Sequence, residues 1–215
     1  MNKNNISVWD AENAFYHKSN ISRLGKLIYQ YEIYKLIKDL PGDVLEFGVF
    51  KGNSLIRFLT FRSIIENNFS RKVYGFDIQS QAIEETQKKV TLTGLTEQIE
   101  LYCKGHETLD KTLPESVTLQ AVVFNLGYLP KSDKSIITLP ETTISAIEQG
   151  LNRLAIGGII LIMVYYGHEG GTDEKNAVKN YLQKLPQEQY AVLEYGFINQ
   201  KNNPPFLLAI EKKRH

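Results

Sequence analysis

Polar residues end three apolar runs of this sequence, and their side chains could serve ligand binding. Glu46, Asp77 and Asn125 each follow a run rich in Val, Leu and Phe. In an open α/β sheet, ligands bind outside the carboxyl ends of the strands. Three such strand ends predict a site for a nucleotide-type cofactor with a second substrate nearby.

A glycine-rich turn follows the first strand end, with Gly48, Gly52 and Asn53 close behind Glu46. The glycines let the backbone approach a ligand, and the helix that follows presents free N–H groups. The pattern is E-x-G-x-x-x-G and not the G-x-G-x-x-G of dinucleotide folds, which disfavours NAD. A purely structural tight turn is the alternative.

The second strand end is Asp77, followed by Ile78. A carboxylate at this place can accept both hydroxyls of a ribose. An isolated Asp would more often cap the helix that follows. Together with the glycine turn, Asp77 is interpreted as a ribose ligand, with Ile78 beside the same cofactor.

The fourth predicted strand ends in Asn125, whose amide offers both a donor and an acceptor. Gly127, Tyr128, Asp133 and Lys134 lie on the loop above it. We predict that this segment lines the reacting centre. An ordinary turn is the alternative.

Further polar residues follow the third and fifth strands and precede the seventh. His106 and Glu107 stand where an adenine ring commonly lies, and a satisfied loop residue is the alternative for His106. Tyr166 and His168 lie on a glycine-rich rim, and a polar loop spans Asn199–Pro205. Stacking and hydrogen bonding to a nucleobase would suit both loops, although simple turns remain possible. Cys103 is expected to be a small buried side chain.

Strands and helices alternate from Gly42 onward, and they must position these residues. We predict strands near 43–48, 72–77, 98–103, 119–125, 157–164, 189–196 and 205–211, and helices near 53–67, 79–92, 138–153 and 173–185. This order favours a mostly parallel sheet with helices on both faces. The last connection is too short for a crossover helix, so the final two strands should pair antiparallel. The predicted fold is a Rossmann-like α/β fold with a seven-stranded sheet, as in class I S-adenosylmethionine (SAM) methyltransferases.

The first forty residues differ from the remainder. Apolar residues recur at three- and four-residue spacing over Ser22–Asp39, which predicts an amphipathic helix that Pro41 ends. We expect a helical extension over residues 1–41 and a methyltransferase domain over 42–215. The helix would pack over the sheet or at a dimer interface, and substrate recognition is the alternative.

Bulk properties narrow the class of protein. The chain has 215 residues, 42% hydrophobic and 23% charged, as expected for one ordinary globular domain. No apolar run approaches the ~20 residues of a membrane span, and we find no signal peptide, so a cytoplasmic location is the default. Cys103 is the one cysteine, which excludes an internal disulfide and a Cys-cluster metal site.

Any nucleic-acid partner must be held by a local basic patch, because the net charge is only +1. The candidate positions are Lys131, Lys134, Lys201 and the basic tail Lys212–Arg214. A charged tail is more often simply solvated.

Residues from about 72 to 212 resemble the YtqB-like (MnmM-type) family of rRNA methylases, which is associated with methylation of the tRNA wobble uridine. The matching motifs are Phe76–Gln79, Phe124–Pro130 with Asp133–Ser135, Pro140–Thr143, Gly157–Gly158, Tyr166–His168 with Gly170, Phe197–Gln200 and Asn203–Phe206. Several long matches in order make the resemblance specific.

The resemblance implies SAM-dependent N-methylation of 5-aminomethyl-2-thiouridine in the tRNA anticodon stem-loop. Asp77 would then hold the ribose, and Asn125 and Gly127 would line the methyl-transfer site. Asp133 or His168 could act as the base, and a carbonyl or Asn125 could hold the neutral amine; the sequence does not choose among these. The modified uridine and its neighbours would be met by Tyr128, Asp133, Lys134, Tyr166, His168, Asn199, Gln200 and Asn203.

The front end of the chain departs from that family. The run Leu45–Gly52 looks more like macrocin-type small-molecule O-methyltransferases, which gives a second hypothesis. The fourth strand ends without a carboxylate, which argues against the metal-assisted version, so no metal is predicted. A third hypothesis is a non-catalytic SAM-binding RNA module. The leading helix and the aromatic content make a homodimer plausible.

Overall fold

A computed structural model describes residues 21–50, 52–65, 71–126, 139–167 and 170–213 of the chain. Its helices are α1 (Ile21–Ile37), α2 (Asn53–Ile65), α3 (Ser80–Thr93), α4 (Leu109–Thr112), α5 (Pro140–Arg153) and α6 (Gly171–Leu182), with short 3-10 turns at Thr96–Gln98 and His106–Thr108. Its strands are β1 (Asp43–Phe47), β2 (Val73–Phe76), β3 (Ile99–Tyr102), β4 (Leu119–Leu126), β5 (Leu154–Val164), β6 (Tyr190–Tyr195) and β7 (Phe206–Lys212).

These strands form one seven-stranded sheet in the order β3-β2-β1-β4-β5-β7-β6. Strands β1 to β5 pair parallel with one another. Strand β7 pairs antiparallel with β5 on one side and with β6 on the other. Although β7 is the last strand of the sequence, it therefore lies inside the sheet. The predicted mostly parallel sheet with a terminal antiparallel hairpin is confirmed.

Helices cover both faces of the sheet. Alternate residues of a strand point to opposite sides, so apolar residues on both sides have to be buried. From β1, Leu45 and Phe47 enter a core that also holds Ile147 of α5. Val44 points the other way and packs with Leu55 of α2. The central strands are therefore buried on both faces and read as continuous apolar runs.

Helix α1 packs into the core on the second face of the sheet, the one that contains Val44 and Leu55. Tyr34 and Ile37 are buried there, and the Tyr34 ring lies 5.9 Å from that of Phe61. The guanidinium of Arg62, also buried, donates to the Lys72 carbonyl at 2.7 Å and to the Tyr34 hydroxyl at 3.4 Å. One charged side chain thus joins α1, α2 and the start of β2. The expected division into residues 1–41 and 42–215 stays a prediction.

Replacing Arg62 by Ala is expected to lower the free energy of unfolding by about 3–5 kcal/mol, because a buried charge network loses one partner. The carboxylate of Asp43, 4.0 Å from Nη1 of Arg62, would lose a neighbouring cation. Urea unfolding measures the change. As a control, the exposed Lys111 replaced by Ala should alter stability by less than about 0.5 kcal/mol. A loss below about 1 kcal/mol for the Arg62 variant would contradict this account.

The predicted helices and strands are present, and two details differ. The helical segments within residues 96–112 were not predicted, because they are only three or four residues long. Strand β5 begins at Leu154 and not near Gly157, which was read as the lead-in. Gly157 has a φ of +79°, and the pairing with β4 shifts register here, so the strand continues through an irregularity. Among the described residues, no helix has the length and apolar character that crossing a membrane requires.

Candidate active site

The sheet brings three predicted site residues to one edge. Strand β1 pairs with β2 on one side and β4 on the other, and Phe47 stands level with both Phe76 and Phe124. The connections leave β1 and β4 in opposite directions along the sheet, which opens a crevice at their carboxyl ends. Glu46, Asp77 and Asn125 lie at this point.

The glycine turn after β1 closes tightly against β4. Gly48 has a φ of +74°, and a Cβ there would lie 2.9 Å from the backbone oxygen of Asn125. Only glycine fits this position. Gly52 also has a positive φ, but a Cβ on it would meet the side chain of Thr86 in α3. Gly52 therefore serves helix packing, whereas Gly48 sets the approach of the turn to the crevice.

Asp77 fixes this turn from the opposite side. Its carboxylate accepts hydrogen bonds from the backbone N–H of Phe50 at 3.2 Å and of Gln79 at 3.0 Å. Phe50 has a φ of +52°, so the turn is held in a conformation that side chains rarely adopt. Burial raises the pKa of Asp77, and the two backbone hydrogen bonds oppose that rise. Each oxygen keeps a lone pair for a ligand hydroxyl.

Glu46 lies beneath the turn and is fully buried. Its Oε1 accepts hydrogen bonds from the Ser54 hydroxyl and, at 3.0 Å, from Nδ2 of Asn125. Among the described residues Oε2 has no hydrogen-bond partner. Burial raises the pKa of Glu46 to about 7, although the hydrogen bonds from Ser54 and Asn125 favour the ionised form.

The stability of the protein should therefore depend on pH through Glu46. Its pKa is raised from 4.5 in the unfolded chain to about 7, so its contribution is fully present below pH 4.5 and is lost as pH rises through 7. We expect the wild type to lose up to about 3 kcal/mol between pH 5 and pH 8 relative to a Glu46→Gln variant. Urea unfolding at both pH values measures this difference. Parallel pH curves for the two proteins would contradict it.

His106 lies on the aromatic floor of the crevice. Its ring is 5.8 Å from that of Phe47 and 6.3 Å from that of Phe124. Nε2 is 3.3 Å from the Thr142 hydroxyl, which itself donates to the carbonyl of Leu139. That arrangement places the ring hydrogen on Nε2 and leaves Nδ1 as an acceptor. Burial lowers the pKa of His106, so the imidazole is neutral at neutral pH.

Other predicted cofactor residues lie around these. Ile78 is exposed next to Asp77, and Cys103, expected to be buried, is exposed with its Sγ 3.7 Å from the Ile78 carbonyl. The backbone oxygen of Glu107 accepts a hydrogen bond from the Gln149 amide in α5. The side chain of Asn53 accepts a hydrogen bond from Lys89 at 2.7 Å, so it bridges α2 and α3.

The rim after β5 and the loop before β7 meet at the same edge. Val164 pairs with Phe206, and the Tyr166 and Phe206 rings pack edge to face at 5.7 Å. Asn203 lies beside Gly167: a Cβ added to Gly167 would be 3.7 Å from the Cβ of Asn203. The ammonium of Lys175 lies 4.4 Å from the centre of the Tyr166 ring. Asn199 and Gln200 of this loop are exposed, as are its neighbours Phe197 and Ile198, which the sequence prediction did not select.

Several predicted residues lie outside the described part of the chain: Gly127, Tyr128, Lys131, Asp133, Lys134, His168, Arg214. Lys212 lies at the opposite edge of the sheet and donates to the carbonyls of Leu151 and Leu154, at 3.0 and 2.8 Å. The basic tail therefore starts far from the crevice. The described residues include no cluster of three or more His, Cys, Asp or Glu side chains that could hold a metal ion.

Ser54 and Thr142 complete the site and were not predicted. Ser54 directly follows Asn53, the last residue named for the glycine-rich turn, and Thr142 belongs to the motif Pro140–Thr143, which was noted only for its resemblance. The Ser54 side chain, on α2, contacts Glu46, and the Thr142 side chain, on α5, contacts His106. Spacing along the sequence gives no signal for such contacts.

Comparison with known proteins agrees with this geometry. A family model described as "Putative rRNA methylase" matches residues 73–211. A solved structure of a "putative rRNA-methylase" from Clostridium thermocellum is 37% identical, with a TM-score of 0.76 over 86% of this chain and 96% of that one. A "putative methyltransferase" from Streptococcus mutans, solved in complex with SAH, is also 37% identical, with a TM-score of 0.70 over 84% and 96%.

A curated relative comes from Arabidopsis thaliana, a chloroplastic "tRNA (mnm(5)s(2)U34)-methyltransferase" that is 34% identical over 144 residues. The match covers 66% of this chain, and the chain spans about half the length of that relative, 53%. CalS11, a TDP-rhamnose 3'-O-methyltransferase, is 20% identical with a TM-score of 0.68, which shows the fold alone. The predicted resemblance and the class I SAM methyltransferase fold are confirmed. The chain belongs to the "Putative rRNA methylase" family.

Proposed function

We propose that the chain is a SAM-dependent methyltransferase that N-methylates 5-aminomethyl-2-thiouridine at the tRNA wobble position. The SAH complex of the Streptococcus mutans relative supports the cofactor, and the name of the Arabidopsis thaliana relative supports the class of substrate. The observation that carries the proposal is the meeting of Glu46, Asp77 and Asn125 at the point where the strand order reverses.

The crevice residues fit a nucleoside cofactor. Gly48 leaves space beside β4 that a Cβ would fill, and the half-buried carboxylate of Asp77 keeps lone pairs for ribose hydroxyls. Ile78 offers an exposed apolar surface and His106 a neutral ring for the adenine side. When bound, SAM supplies an electrophilic methyl group on a sulfonium. The chain's own residues hold it, exclude water and orient the acceptor.

The substrate would be met by residues on the rim. Tyr166, Asn199, Gln200 and Asn203 lie at the same edge as the crevice, where stacking and hydrogen bonding to a nucleobase are available. Asp133 and His168 are proposed as alternative bases that take the proton of the substrate ammonium before transfer. Tyr128 and Lys134 would contact the uridine and its neighbours.

Transfer of labelled methyl groups into tRNA tests the proposal. The tRNA comes from a strain that accumulates 5-aminomethyl-2-thiouridine, and mass spectrometry of the nucleosides identifies the product. A gain of one methyl on that nucleoside alone is expected. Absence of transfer despite measured SAM binding would overturn the tRNA substrate. The small-molecule O-methyltransferase and the non-catalytic RNA module would then be tested with hydroxyl acceptors and by RNA binding.

We also propose a homodimer and a cytoplasmic place of action. Ile28 and Leu36 of α1 are exposed apolar side chains that a second copy could cover. Sedimentation at several protein concentrations tests the dimer. The Arabidopsis thaliana relative is chloroplastic, so the compartment has to be measured in the source cell by fractionation.

A further inference from the structure

The hydrogen bonds of Asn125 determine which of its polar atoms faces the crevice. Nδ2 lies 3.0 Å from Oε1 of Glu46 and 3.3 Å from the carbonyl oxygen of Gly48. A backbone carbonyl can only accept a hydrogen bond, so the atom facing Gly48 must be the amide nitrogen. The orientation of the amide follows from chemistry and not from the similar shapes of its two ends.

Both hydrogens of the Asn125 amide are thereby used inside the protein. An amide nitrogen has two hydrogens, and the two acceptors are Glu46 and Gly48. Oδ1 therefore points away from them, on a side chain that is exposed at the end of β4. Among the described residues no hydrogen bond to Oδ1 competes with a ligand. Asn125 thus presents only an acceptor to the crevice.

Glu46 lies beneath the surface of the crevice and contacts Asn125, which is exposed there. It is fully buried, and its Oε1 is shared between Ser54 and Asn125. Because Ser54 stands in the first turn of α2, Glu46 is itself held by the helix that follows the glycine turn. The hydrogen bonds from Ser54 to Glu46 and from Asn125 to Glu46 therefore connect α2, β1 and β4.

We infer that Glu46 is a positioning residue that turns the carbonyl oxygen of Asn125 toward the acceptor substrate, so that the site selects an amine nucleophile over a hydroxyl. This inference rests on the proposed methyl transfer and specifies its substrate class. A neutral primary amine keeps two hydrogens during attack, and one of them can be donated to Oδ1. That hydrogen bond aligns the nitrogen lone pair.

The chemistry separates the two nucleophiles. The lone pair of the amine forms the N–CH₃ bond while the S–CH₃ bond breaks, and the electron pair of that bond remains on sulfur. The nitrogen becomes a cationic ammonium, whose N–H strengthens its hydrogen bond to Oδ1, and one proton is lost to solvent afterwards. A hydroxyl must lose its one hydrogen during attack. If that hydrogen is donated to Oδ1 it is not available to the proposed base, Asp133 or His168, and the amide oxygen itself is too weak a base to take it.

Three proteins test the positioning role: Glu46→Gln, Glu46→Leu and the control Glu84→Ala, which removes an exposed carboxylate of α3 outside the crevice. Gln retains an acceptor for Nδ2 of Asn125, and Leu removes it. We expect the Leu variant to lose about 100-fold in kcat, the effect of a misplacement of about 1 Å, with SAM affinity changed less than about threefold. The Gln and Glu84→Ala variants should stay within about threefold of the wild type. A Gln variant as slow as the Leu variant would overturn the inference.

A readout independent of turnover is the side-chain amide of Asn125 in the cofactor-free protein, observed by ¹⁵N NMR. Slow hydrogen exchange of this amide is expected in the wild type and in Glu46→Gln, with faster exchange in Glu46→Leu. Exchange in the wild type as fast as for a solvent-exposed Asn would overturn the inference. This measurement needs no variant, so it remains decisive should the Leu variant fail to fold.

Substrate choice completes the test. Two tRNAs that carry an aminomethyl or a hydroxymethyl group at carbon 5 of the same uridine are compared with the wild-type protein. Methylation of the amine alone is expected, and hydroxyl methylation at a rate within about tenfold would overturn the selectivity. If neither tRNA is methylated, the proposed function fails, while the NMR experiment still reports on the Asn125 geometry.

Discussion

Replacing Asp77 by Ala is expected to weaken SAM binding by about 100-fold or more. Two hydrogen bonds from ribose hydroxyls to a carboxylate contribute about 1.5–3 kcal/mol each, and each 1.4 kcal/mol is tenfold in affinity. The substitution also removes the carboxylate that accepts hydrogen bonds from the backbone N–H groups of Phe50 and Gln79, so the glycine turn loses this anchor. Calorimetric titration with SAM and with SAH measures the loss.

The control for this variant is Glu84→Ala on the exposed face of α3. It removes a carboxylate of the same charge without touching the crevice, so SAM affinity should stay within about twofold. An Asp77→Ala protein that folds normally and binds SAM as the wild type does would exclude the ribose role. Asp77 would then be only the anchor of the turn.

A Gly48→Ala substitution is expected to lower the free energy of unfolding by about 2–4 kcal/mol and to abolish methyl transfer. The positive φ of +74° costs an L residue about 1–2 kcal/mol, and the new Cβ would lie 2.9 Å from the backbone oxygen of Asn125. The atom that the new Cβ would meet belongs to the backbone of β4 and not to a flexible side chain, so it cannot move away by a change of rotamer. The turn would have to shift out of the crevice.

Gly94→Ala provides a matched control. Gly94 has nearly the same φ, +70°, but a Cβ there meets nothing within 4 Å. This variant should show only the conformational cost of about 1–2 kcal/mol, with SAM affinity unchanged. Denaturant unfolding of both variants isolates the contribution of the contact between Gly48 and β4. Equal losses for the two variants would show that this contact is unimportant.

The fold was predictable because its signals are local. Buried parallel strands such as Val122–Phe124 are apolar without interruption, and the short connection before Phe206 leaves antiparallel pairing as the remaining option. The sequence predicted that Asp77 and Asn125 follow the ends of β2 and β4, and the pairing of both strands with β1 brings these two ends to one edge of the sheet. The parallel topology alone places them there.

The contacts within the site were less predictable, since they depend on side chains that converge from distant segments. Ser54 reaches Glu46 across the glycine turn, and Thr142 of α5 reaches His106 after β3. Asn53 was predicted to contact the cofactor, a role that is untested, and its side chain bonds Lys89 of α3. Sequence patterns identify strand ends, but they do not report the rotamer that selects one neighbour over another.

The position of β7 inside the sheet has a consequence for synthesis on the ribosome. Until residues 206–212 emerge, β5 lacks its antiparallel partner and β6 has no strand with which to pair. The open edge of β5 is then the apolar run Ile159–Val164, a template for pairing with another nascent chain. Translation that stalls within the α6–β6 region should therefore yield aggregation-prone fragments, and chaperones that shield strand edges would matter most during that interval.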